Sequence, residues 1–77
     1  MLRFTATLYD ANQNCVSRHT FDMPLGTTFR RAWSRARSFF GLTGVKGDYH
    51  RWVGHVHWKP RGMVTTLELN CAYLLRA

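Results

Sequence analysis

The sequence predicts an α+β domain of two β-hairpins joined through a single α-helix, and three observations carry that prediction. Apolar residues recur at three- and four-residue steps over one stretch, Thr27 to Gly41. On either side of it they alternate with polar residues, as in strands with one buried face. Clusters of Asp, Asn, Pro and Gly mark the boundaries between these stretches.

In the first strand, Leu2 to Tyr9, residues Leu2, Phe4, Ala6 and Leu8 share one face and Arg3, Thr5, Thr7 and Tyr9 the other. Asp10 to Asn14 is a turn, because Asn and Asp tolerate left-handed backbone angles and bond their own main chain. A second strand then runs from Cys15 to about Met23, with Cys15, Ser17, His19, Phe21 and Met23 on one face. Pro24-Leu25-Gly26 stops it, and Thr27 or Thr28 is placed to accept amide hydrogen bonds as a helix N-cap. In the helix, Phe29, Ala32, Trp33, Ala36, Phe39 and Phe40 form the side to be buried, and Arg30, Arg31, Arg35 and Arg37 the side turned outward. Gly41 is the stop.

Leu42 to Asp48 reads as a loop. Tyr49 to Lys59 alternates as one strand, with His50, Trp52, Gly54, Val56 and Trp58 directed to the core and Arg51, Val53, His55, His57 and Lys59 to the opposite face. Lys59 to Gly62 is a tight turn, with Pro60 supplying a preset backbone angle. The last strand, Met63 to about Leu75, presents Met63, Leu67, Leu69, Cys71, Tyr73 and Leu75 to the core and is expected at the sheet centre.

This ββαββ order predicts a four-stranded mixed sheet covered on one face by the helix, in the order 2-1-4-3, with the first and last strands parallel. The element order resembles that of the β-grasp, as in ubiquitin-like and immunoglobulin-binding domains. The resemblance implies a fold and no function. It leaves both edge strands open, which permits homodimerisation by edge pairing.

Residues 1–77 make one domain, near the size at which a single apolar core is marginally sufficient. Cys15 and Cys71 fall on strands separated by a third, so they are expected as buried, reduced thiols, and the protein as cytoplasmic. No apolar run approaches the roughly 18 residues of a membrane span. Nine of the eleven basic residues are Arg, against four acids, for a formal charge of +7. A chain this basic seeks an anionic partner, and the planar fork of Arg matches phosphate and carboxylate.

Between Thr27 and Lys46 there is no acidic residue at all. Arg30, Arg31, Arg35 and Arg37, with Lys46, Lys59 and Arg61 from the loops, are therefore the predicted contacts to an anionic partner, foremost nucleic acid held through its phosphates. The alternative partner is an acidic surface of another protein, with this chain as a small interaction or inhibitor module. Secondary candidates lie on the open sheet face: Arg3, Arg18, Arg51, His55, His57 and Tyr9. No catalytic set, cofactor or metal site is predicted, since His55 and His57 have no carboxylate nearby in sequence. The one enzymatic alternative is a small metal-independent ribonuclease using those histidines.

Overall fold

A computed structural model describes residues 1–52 and 55–73, with side-chain surroundings through Cys71. The sequence expectations for Val53, Gly54, Leu75 and the Tyr73 side chain lie outside the described residues. The elements are β1 (Leu2–Tyr9), β2 (Cys15–Met23), α1 (Phe29–Phe39), β3 (Gly47–Trp52), β4 (His55–Pro60) and β5 (Thr66–Tyr73). They form an antiparallel sheet of five strands in the order β2-β1-β5-β4-β3, with α1 on one face.

The four-stranded mixed sheet is thereby corrected, and one local event explains the whole difference. The stretch expected as a single strand folds back on itself, so that Trp52 pairs with His55 and Tyr49 with Trp58. Each hairpin reverses the chain once, and one extra reversal turns the last strand antiparallel to the first. β5 still lies beside β1 and near the sheet centre, as its apolar alternation requires.

The hairpin also changes which side chains are buried. In one continuous strand Trp52 and Trp58 share a face; across a hairpin Trp52 instead shares its face with His55, and Tyr49 with Trp58. Trp58 is fully buried while Trp52 is 60% exposed, which corrects the expectation that both point to the core. His50 moves to the outer face with Trp52, and Arg51 to the helix side. The last strand begins at Thr66, so Met63 precedes it and is exposed.

Between sheet and helix the core closes around Leu2, Phe4, Phe21, Trp33, Val56, Trp58, Leu67 and Leu69, with Ala32 and Ala36 letting the helix approach closely. Full burial of each large apolar side chain stabilises by about 1.5–3 kcal/mol. Trp33 and Trp58 meet edge to face, with ring centres 5.5 Å apart.

The helix is shorter than the apolar period, and its ends show why. Thr28 is the N-cap, its hydroxyl accepting from the Arg31 amide at 3.3 Å. At the other end the Gly41 amide donates to Ser38 (3.1 Å) and the Leu42 amide to Arg37 (2.8 Å). This pair of bonds is a Schellman stop and needs a left-handed residue, which Gly41 supplies at φ 70°. Phe39, expected in the core, sits in the last turn at the margin of the apolar stripe and is 53% exposed, stacked on His19.

At the β1–β2 end, Leu8 pairs with Ser17 but Tyr9 with Cys15, so Val16 is a bulge residue. The bulge carries Cys15 onto the Tyr9 face, where it is exposed rather than buried as expected. Both cysteines are free. Among the described residues no helix is long and apolar enough to cross a membrane.

Candidate functional site

The residues that composition and pattern single out lie on two surfaces, one on each side of the sheet. On the helix side, a step of 100° per residue puts Arg30 and Arg37 on the margin of the apolar stripe nearer β3, and Arg31 and Arg35 on the margin nearer β2. Between α1 and β3 lies a cleft of about 620 Å³, lined among others by Arg30, Trp33, Ser34, Arg37, Tyr49 and Arg51. The Trp33 indole donates to the Tyr49 hydroxyl at 3.1 Å, tying the helix to the strand across the cleft. A second groove, of about 510 Å³, runs between α1 and β2 and is lined by His19, Arg31, Arg35, Ser38 and Phe39 among others. The Arg35 guanidinium lies 5.0 Å from the Phe21 ring centre.

Arg37 departs from the outward set. Its guanidinium donates to the carbonyls of Leu42, at 3.0 Å, and Val45, and lies 4.9 Å from the Trp58 ring centre. The Schellman turn brings the loop back over the last helical turn, where its carbonyls need a donor. Arg37 therefore braces the helix end. Arg30, Arg31, Arg35 and Arg51 are exposed, and among the described residues none of these arginines forms an ion pair.

Lys46 and Arg61 meet at the start of β3, where the Arg61 amide donates to the Lys46 carbonyl at 2.9 Å. Arg61 lies 3.9 Å from the Asp48 carboxylate. Lys59 is exposed on the open face of β4, opposite Asp48 in the register.

The carboxylates are segregated from this side. Asp22, Asp48 and Glu68 occupy strand positions that alternate away from the helix. Asp10 is held in the β1–β2 turn, accepting from the Asn12 and Asn14 amides at 2.9 and 3.0 Å. The helix side is thus positive and uncompensated.

The open face is organised by register into two cross-strand rows. Arg18, Thr7, Glu68, His57 and His50 pair successively from β2 to β3. Thr20, Thr5, Asn70, His55 and Trp52 form the neighbouring row in the same way. Glu68 is the hub. Its Oε1 accepts from the Tyr9 hydroxyl at 3.3 Å and from Asn70 Nδ2 at 3.0 Å, and its Oε2 faces His55 Nε2 at 3.6 Å and His57 Nε2 at 3.9 Å. His55 Nδ1 is hydrogen-bonded to Asn70 Oδ1. Burial, and then the Glu68 charge, push the Tyr9 phenol above its ordinary value.

Thr7 is only 2% exposed although it points away from the helix, and its hydroxyl accepts from Arg18 Nε at 3.4 Å. At the sheet margin Arg3 donates twice to Asp22, at 2.9 and 3.2 Å, and holds that carboxyl below the usual range.

Of the predicted open-face residues, Arg3, Arg18, Tyr9, His55 and His57 occupy that face and Arg51 does not, because the hairpin inverts its strand. No carboxylate lies near the histidines in sequence, but the strand register brings Glu68 to them in space. Glu68, Asn70, His50 and Trp52 are the residues that sequence reasoning missed. Glu68 and Asn70 alternate with Leu67, Leu69 and Cys71, so their face was readable; their partners were set by strand register. Among the described residues, no group of three or more His, Cys, Asp and Glu is arranged to hold a metal ion. The chain matches no protein-family model, no curated protein and no solved structure.

Proposed function

We propose that the protein binds nucleic acid through its helix side, by phosphate contacts of low sequence specificity. The observation that carries this is the charge segregation: Arg30, Arg31, Arg35 and Arg51 are exposed and unpaired among the described residues, while Asp22, Asp48 and Glu68 lie on the other face. Four arginines along one helix and its flanking strand match a run of phosphates better than one small anion. Tyr49, exposed at the β3-side cleft, adds an aromatic ring beside these cations, the combination single-stranded binders use to hold bases and backbone together. A cytoplasmic setting goes with this reading, in which Cys15 and Cys71 persist as thiols.

The test is fluorescence anisotropy with single- and double-stranded DNA and RNA at about 50 and 200 mM salt. Four phosphate contacts predict that affinity for single strands falls by about fifty-fold over this range. Micromolar or tighter binding with that dependence supports the reading. No binding at the lower salt overturns it, and leaves the acidic protein surface as the partner for these arginines.

A further inference from the structure

The open face gathers groups that anion binding on the helix side does not use, and its chemistry is of another kind. Glu68 is the one carboxylate there with both oxygens engaged by side chains from three strands, and its side chain is 21% exposed. Tyr9 and Asn70 fix one oxygen, so the other is held toward the imidazoles of His55 and His57. His55 is hydrogen-bonded at Nδ1 by Asn70, and its Nε2 faces Glu68 Oε2 at 3.6 Å. His57 faces the carboxylate and the His55 ring, whose centre is 6.2 Å away, and stands directly opposite His50 on β3. Side chains so paired have Cβ atoms about 4.5–5.5 Å apart, close enough for two imidazoles to address one small group.

A cation and an aromatic surface flank the pair, and a second cation lies at the far end of its row. Lys59 lies two residues beyond His57 on the same face of β4, and Arg18 ends the row that contains Glu68. Trp52 lies two residues from His50, with ring centres 6.3 Å apart, and offers an open indole on which an unpaired base can stack. Two imidazoles, a supporting carboxylate, a cation and a stacking ring suit a phosphodiester whose neighbouring hydroxyl can attack it.

We infer that this face cleaves single-stranded RNA by internal transesterification, with His57 and His50 as the proton-transferring residues. His57 accepts the proton of the ribose 2′-hydroxyl as that oxygen attacks phosphorus. The new P–O2′ bond forms, the bond to the 5′-oxygen breaks, and the departing oxygen takes a proton from His50. The products are a 2′,3′-cyclic phosphate and a free 5′-hydroxyl, with nothing oxidised or reduced and no water consumed. Lys59 stabilises charge on the non-bridging oxygens, and Glu68 is a positioning residue that also stabilises the imidazolium forming on His57. The step needs one imidazole neutral and the other protonated, so its rate passes through a maximum with pH. His55, Tyr9, Cys15, Arg3, Arg18, Asp22 and Asp48 are the other charged or titratable groups described on this face. The inference uses the face opposite the arginine side and stands independently of it.

The test incubates the purified protein, in EDTA, with a labelled single-stranded RNA and with the DNA of the same sequence, and identifies the product ends by mass spectrometry. RNA is expected to be cut to 2′,3′-cyclic phosphate ends and DNA to be left intact. His57→Ala and His50→Ala should each lower the rate by about a hundred-fold or more, with thermal melts like that of the parent. The double variant, purified in parallel, sets the background from foreign nucleases. Removing the Glu68 charge by Glu68→Gln should lower kcat with KM and the thermal melt little changed, a split that simple loss of packing does not produce. Cleavage no faster than that of the double variant, or products with 5′-phosphate ends, would overturn the proposal, and an unchanged kcat in Glu68→Gln would remove Glu68 from it.

Discussion

Arg37 and Gly47 show how far a single residue's role depends on its surroundings. Arg37 belongs by composition to a row of four helix arginines, yet its guanidinium is spent on the carbonyls of Leu42 and Val45. Arg37→Met should therefore destabilise the fold by about 2 kcal/mol, because it leaves those acceptors without their charged donor. Changing Arg30, Arg31 or Arg35 to Gln should each stay within about 0.5 kcal/mol. Urea denaturation followed by far-ultraviolet circular dichroism separates the two behaviours. Gly47 lies against the Trp58 indole and the Lys59 carbonyl, where a Cβ would come within 2.8 Å of Trp58 Cε2. Neither neighbour can yield, since Trp58 is fully buried and the carbonyl is backbone, so Gly47→Ala should cost about 1–3 kcal/mol in the same assay.

Asp22 carries a pH dependence whose sign follows from its partner. Arg3 lowers the Asp22 carboxyl in the folded state, first through the hydrogen bond and also through its charge. The stabilisation is therefore present above the ordinary carboxylate range and lost as pH falls through the depressed folded value. Asp22→Asn should flatten that acid limb of the stability profile, read from denaturation midpoints at descending pH.

At the scale of elements, the β3–β4 hairpin decides most of what is distinctive here. It supplies the fifth strand, makes the sheet wholly antiparallel and assigns Trp52 and Trp58 to opposite faces. Trp58→Ala should cost about 3–5 kcal/mol as a large core truncation, whereas Trp52→Ser should change stability by no more than about 0.5 kcal/mol. Comparable losses at both positions would contradict the hairpin. The helix was readable almost entirely from sequence, because its apolar period, Thr28 cap and Gly41 stop are local features. The hairpin was not, because Tyr49 to Lys59 alternates without a break and an alternating run is equally compatible with one long strand or two short ones.

For the whole molecule, the dominant fact is a sheet that separates unlike charge distributions. The helix side holds cations without acids, including Arg31 and Arg35 at i and i+4, a like-charged pair that costs about 0.2–0.5 kcal/mol in a helix. Screening should relieve that repulsion, so thermal stability should rise by roughly 1–4 °C between low and physiological salt. In the nucleic-acid titrations, replacing Arg30, Arg31 and Arg35 together by Gln should reduce the salt slope by about one per lost phosphate contact, without moving the melting transition by more than a few degrees.

What the sequence determined by itself was local: the α+β class, the strand alternation of β1, the helix with its caps, and the excess of arginine on the helix. Each of these depends on residues within a few positions of one another, where backbone preference and period act directly. The tertiary structure decided the number of strands, the burial of Trp58 rather than Trp52, the inward turn of Arg37, and the meeting of Glu68 with His55 and His57. Those outcomes depend on where the chain reverses and on which strands then lie side by side. A reversal within an unbroken alternating run changes every cross-strand partner beyond it, and no local preference records that choice.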